Sequence, residues 1–125
     1  MTTLKAKLND GAVEVALADI MVDDTKSVVD VAQRWAIFLE QYLMALDITK
    51  NVLQYPIIVK KDDDTLRFAA SGARIQYAVI SGYTHIDAVL FDNDQDILAE
   101  MERQRELKKQ ILDATKAEVA ALKAK

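Results

Sequence analysis

Residues 52–91, VLQYPIIVKKDDDTLRFAASGARIQYAVISGYTHIDAVLF, decide the fold. The stretch is rich in β-branched and aromatic residues and is punctuated by the polar turn Lys61-Asp62-Asp63-Asp64 and by two Ser-Gly pairs, Ser71-Gly72 and Ser81-Gly82. That pattern predicts strands. Val52 to Lys60 and Thr65 to Ala70 read as a hairpin about the acidic turn. The Ser-Gly pairs bracket Ala73 to Ile80 as a further strand, and Tyr83 to Phe91 make the last one. The alternative is a broken helix over Leu66 to Ile80. Pro56 has no N–H to give to a ladder, so its strand is expected at an edge or with a bulge.

Upstream the period changes. Asp24 or Thr25 can cap a helix in which Val28, Ala32, Trp35, Leu39, Tyr42 and Leu46 keep one apolar face, widened by Val29, Ala36 and Leu43. A helix of this length is the expected central packing element. Before it, Leu4, Ala6 and Leu8 alternate with Lys5 and Lys7. Asn9-Asp10-Gly11 then supplies turn residues and Val13, Val15 and Leu17 resume the alternation, which predicts an N-terminal hairpin.

Downstream, residues 93–125 hold neither Gly nor Pro and are dominated by strong helix formers. Asp94, Asp96, Glu100 and Glu102 precede the first base, Arg103, while Lys116, Lys123 and Lys125 lie toward the end, matching the helix dipole. Ile97, Leu98 and Met101 form one apolar cluster, Gln104 and Arg105 interrupt it, and Leu107, Ile111, Leu112, Val119 and Leu122 resume it. A helix of roughly 45 Å outruns a domain of this size, so the second cluster is expected to seek another helix or another protein.

These segments predict an α+β fold: an antiparallel, hairpin-rich sheet of about five or six strands packed on one long central helix, with a long C-terminal helix extending from the body. Residues 1–92 form the compact body and 93–125 the helix of a single domain. The expected core includes Trp35, Phe38, Leu39, Tyr42, Leu43, Tyr77, Val79, Ile86, Leu90 and Phe91.

Composition narrows the chemistry. The 125 residues are 51% hydrophobic and 29% charged, with a net charge of −4, one His and no Cys. Disulfide scaffolds, thiolate catalysis and cysteine zinc sites are therefore excluded. No basic stripe marks a nucleic-acid interface; Arg67 and Arg74 are two bases in an acidic chain. No signal core or membrane-spanning run is legible, which makes the cytoplasm, or a virion if the protein is viral, the expected location.

Few candidate sites remain. On a strand His85 and Asp87 share a face, a pairing that can orient an imidazole for acid–base work; the plainer reading is a partly exposed strand position. Asp92-Asn93-Asp94-Gln95-Asp96 begins like a calcium loop, but the sixth position is Ile97 instead of Gly and the twelfth is Arg103 instead of Glu, so a helix cap explains it better. Asp62-Asp63-Asp64 reads as a solvated hairpin tip, and Trp35 and Tyr42 as core. No catalytic residue, cofactor or metal is expected.

The sequence thus favours a non-enzymatic interaction or assembly protein, binding a protein partner or itself through Leu107, Ile111, Leu112, Val119 and Leu122. No family motif carries this reading; a small domain with a projecting helix is similar in style to minor bacteriophage virion or assembly proteins. One alternative is a small acidic inhibitor or immunity-type protein that covers a basic target. Another is a ligand-binding or enzymatic α+β domain with a pocket near His85.

Overall fold

The computed structural model describes residues 2–35, 52–70 and 72–124. In chain order the elements are β1 (Thr3–Ala6), β2 (Val13–Ala16), β3 (Ile20–Met21), α1 (Val28–Val31), β4 (Val52–Leu53), β5 (Ile57–Asp62), β6 (Thr65–Phe68), α2 (Gly72–Ile80), β7 (His85–Phe91) and α3 (Asp94–Lys123). The fold is α+β with a mixed sheet and a long C-terminal helix.

The sheet is built around β7. Its last four residues pair in parallel with β5, from Ile57 with Ala88 to Lys60 with Phe91. Its first two pair in parallel with β1, Thr3 with His85 and Leu4 with Ile86. On the other side β2 runs antiparallel along residues 85–88. Ile86 therefore has Leu4 on one side and Val15 on the other, and Ala88 has Ile57 and Val13. It follows that β1 and β5 take turns along one edge of β7 while β2 holds the opposite edge.

The antiparallel expectation is thereby corrected. The β5–β6 hairpin forms, with Asp63 at φ +54° in its two-residue tip, and β2 with β7 is the other antiparallel pair. The pairs β1–β4, β1–β7, β3–β6 and β5–β7 are parallel. Nor do β1 and β2 form the expected hairpin with each other. Ala12 N–H does close the turn onto the Asn9 carbonyl at 2.8 Å, and Gly11 supplies φ +73°, but the two strands flank β7.

Parallel neighbours need a crossover, and the segment expected as a strand over Ala73–Ile80 provides it as the helix α2. The second Ser-Gly pair is a helix stop. Gly82 N–H donates to the Val79 carbonyl and Tyr83 N–H to the Ala78 carbonyl, with Gly82 at φ +85°, the Schellman arrangement that ends a helix on a left-handed residue. Ile75 and Ala78, three apart, are both fully buried, as a helical face requires.

The expected long central helix is also corrected in its described part. Ser27, not Asp24 or Thr25, precedes the first turn, with its N–H donating to the Asp30 carboxylate at 2.9 Å. The α turn passes into a 3₁₀ turn, Ala32–Arg34, and Trp35 is extended at φ −70°, ψ 136°. Gln76 of α2 packs against this turn, its Nε2 donating to the carbonyls of Ala32 and Trp35 at 2.9 and 2.8 Å. Phe38, Leu39, Tyr42, Leu43 and Leu46 lie outside the described residues.

Alternation along the strands fills two cores. Ile86 and Ala88 with Ile57, Val59, Leu4, Ala6 and Val15 face Val28, Ala32, Ile75 and Ala78. The alternate positions Ile58 and Val89 form a second cluster with Ile97 of α3. Tyr77 is buried, Trp35, Val79 and Leu90 pack on the first core, and Phe91 packs on the second. Replacing Ile86, fully buried at the crossing of three strands, by Ala is expected to cost roughly 2–5 kcal/mol in urea unfolding, whereas Leu8→Ala, at a half-exposed position, should change stability by less than about 0.5 kcal/mol.

Candidate functional site

The C-terminal helix α3 is tied down at its start and released toward its end. Asn93 caps it: Oδ1 accepts from the Asp96 N–H at 2.8 Å and Nδ2 donates to the Asp92 and Asp96 carboxylates. Lys60 of β5 reaches Asp94 at 2.9 Å. The motif that begins like a calcium loop thus serves as a cap and an acidic first turn. Among the described residues no group of three acidic or imidazole side chains is placed to hold a metal ion.

Two turns further on, the helix is held by polar contacts. Gln104 is buried; its Nε2 donates to the Pro56 carbonyl at 2.9 Å and to Glu100 at 3.1 Å, and its Oε1 accepts from Arg74 at 3.1 Å. Arg74 of α2 also donates to the carbonyls of Tyr55 and Pro56 and lies 4.7 Å over the Tyr55 ring. Glu100, likewise buried, takes a two-pronged ion pair from Arg103, and this raises the Arg103 guanidinium above its ordinary value. The packed face is therefore Ile97, Glu100 and Gln104, a 3-4 spacing made of one apolar and two polar side chains. By hydrophobicity Gln104 interrupts the apolar stripe, but its spacing from Ile97 and Glu100 places it on the same helix face.

Pro56 sits where β4 turns into β5. It is fully buried, and its carbonyl is the acceptor shared by Arg74 and Gln104. Beside this knot an open cleft of about 250 Å³ is lined by Tyr55, Ile58, Arg74, Met101, Arg105 and Lys108, among others.

Beyond Gln104 the helix parts from the body. Leu107 and Ile111 are half-buried, and every described residue from Leu112 to Ala124 is exposed. Leu112, Val119 and Leu122 are 47%, 43% and 69% exposed. Leu98 and Met101, on the anchored half, are also exposed. Of the residues expected to bind a partner, three are thus fully at the surface and two at its margin.

The other candidates are placed in ordinary roles. His85 Nδ1 lies 2.9 Å from the Thr84 hydroxyl, and Asp87 turns its carboxylate to the Ala6 N–H at 3.0 Å. That bond satisfies the donor left where β1 gives way to β5 along β7. Glu14, across the sheet, has its carboxyl lowered by hydrogen bonds from Thr3 and then Lys5, the behaviour of a surface ion pair and the opposite of a general acid. At the hairpin tip Asp62 and Asp24 both pair with Arg67, whose guanidinium is raised chiefly by Asp24. Trp35 packs on Phe68 with ring centroids 5.1 Å apart. Tyr42 lies outside the described residues.

The sequence matches no protein-family model and no curated protein, so geometry alone carries the functional reading. No helix among the described residues is long and apolar enough to cross a membrane. The polar anchor makes its own forecast: Gln104→Leu should destabilise the fold by about 1–3 kcal/mol in urea, because the Pro56 carbonyl and Arg74 lose a buried partner, while Lys108→Ala on the exposed side should be near neutral.

Proposed function

We propose that the protein is a non-enzymatic interaction or assembly protein that associates, with a protein partner or with itself, through its long C-terminal helix. The observation that carries this is the exposure of Leu112, Val119 and Leu122 on a helix of 30 residues whose contacts with the body are concentrated in its first three turns. Each such side chain gains on the order of 1.5–3 kcal/mol when fully buried. An isolated helix end is also marginal in water, so a helical distal half gains most from a neighbour.

The reading of an acidic inhibitor has less support, because its two acidic clusters are partly neutralised within the chain: Asp62 by Arg67 and Asp94 by Lys60. A reading as an enzyme or ligand-binding domain would need convergent polar groups in a concave site. The cleft beside α3 has Arg74 already engaged by three acceptors, and it does not include His85.

Light scattering and pull-down from the native source test the proposal. The full chain is expected to be self-associated or to retain a protein partner, and the double replacement Leu112→Glu with Val119→Glu should abolish that state while circular dichroism shows the fold retained. A wild-type chain that is monomeric at tens of micromolar and retains nothing that the double variant loses overturns it.

A further inference from the structure

The exposed apolar residues of α3 share a pattern. Leu98, Met101, Leu112, Val119 and Leu122 are its large exposed hydrophobics, and with Leu98 written as position a of a heptad all five fall on a or d. The remaining a and d positions between them are Arg105, Lys108 and Thr115. Ile97 and Gln104, which face the body, are g positions, so the seam runs along the body's margin and is not covered by it.

We propose that the occupant of this seam is a second copy of the chain, packed antiparallel about a twofold axis near Gln110 and Ile111. This rests on the reading of α3 as the associating element and goes further by naming partner and orientation. Parallel pairing in register would set Arg105 against Arg105 and Lys108 against Lys108 in the middle of the seam. Reversing one helix sets a against d. Leu98 then meets Leu122 of the second copy, Met101 meets Val119, Arg105 meets Thr115, and Lys108 meets Leu112, each pair occurring twice.

The flanks agree. In the reversed register Lys116 of the second copy comes beside Glu102, which holds Arg105 of its own helix at 3.0 Å, again twice, and Ile111 meets its own copy on the axis. Glu118 of the second copy approaches Gln104, next to the cleft lined by Arg105 and Lys108. Two like-charge approaches remain, Lys109 facing its own copy and Arg105 beside Lys116 of the second copy; these long side chains can turn their charges out to water on flexible stems. Each body stands beside the other's distal half, where the described residues from Leu112 on are all exposed. The contact is isologous, so it closes as a dimer without propagating.

The absence of Cys makes orientation directly measurable. Full-length Leu98→Cys and Leu122→Cys chains, one carrying a size tag, are mixed and mildly oxidised. The mixed 98–122 disulfide should dominate on non-reducing gels, with little 122–122 product from Leu122→Cys alone. In the Cys-free chain, Glu102→Lys should raise the dimer dissociation constant roughly three- to tenfold, and adding Lys116→Glu should restore it. Dominant 98–98 and 122–122 products would overturn the antiparallel arrangement while leaving association through α3 intact. A monomer that still loses a different protein partner on Leu112→Glu with Val119→Glu overturns the second copy as occupant, and a monomer that loses nothing overturns both readings.

Discussion

The double occupation of β7 is the constraint on which the rest of the structure depends. A strand has two edges, and His85–Phe91 uses both: β2 along one, β1 and then β5 along the other. Backbone donors and acceptors of a buried strand must be paired, and this arrangement pairs them with two segments from the start of the chain and one from its middle. The place where β1 leaves and β5 arrives is the weak point, since a backbone N–H there loses its ladder partner. Asp87 closes it by accepting from Ala6. A carboxylate that looks like half of a catalytic pair in the sequence is thus needed to seal a junction between strands.

The same strand explains the helices. Its two faces are apolar over its second half, with Ala88 and Leu90 on one side and Val89 and Phe91 on the other, so each face needs a cover. The crossover from β6 to β7 delivers α2 to one face. The chain leaving β7 delivers Ile97 of α3 to the other. Arg74 and Gln104 then connect the two covers through the Pro56 carbonyl at the margin of the sheet. A network of this kind is strong only when each member is satisfied, and it ties three separate segments to one peptide group.

How much of this could be read beforehand depended on the range of the cause. The Asp62–Thr65 hairpin, the start of α3 near Asn93 and its unbroken course to Lys123 were legible, because turn residues, caps and helix propensity act within a few residues. The misreadings had distant causes. Ala73 to Ile80 carries Val, Ile and Tyr, which suit a strand, and only the need for a crossover between β5 and β7 makes it helical. Trp35 continues a good helical stripe, yet its backbone is extended, at a turn whose Ala32 and Trp35 carbonyls accept from Gln76, more than 40 residues away in sequence. Gln104 was invisible as an anchor for a related reason: a buried amide is favourable only when its partners are in place, and Pro56 and Arg74 come from elsewhere in the chain. At the candidate surface, Leu112, Val119 and Leu122 were legible from spacing alone. Leu98 and Met101 belong with them only once Ile97 and Gln104 are known to face the body.

The contrast between the two halves of α3 finally bears on why polar side chains anchor the helix at all. An apolar stripe continuous from Ile97 to Leu122 would offer the body and a partner the same surface, and nothing would fix where one contact ends. Gln104 breaks that ambiguity, because its bonds to Arg74 and the Pro56 carbonyl can be made at one position only, while Glu100, bonded to Arg103 and Gln104 of its own helix, orients the amide. Hydrophobic burial is non-directional, whereas these hydrogen bonds set a register. Past Ile97 the helix is therefore held on the body by a group that cannot serve an apolar partner, and its large exposed apolar side chains are the ones the body does not use.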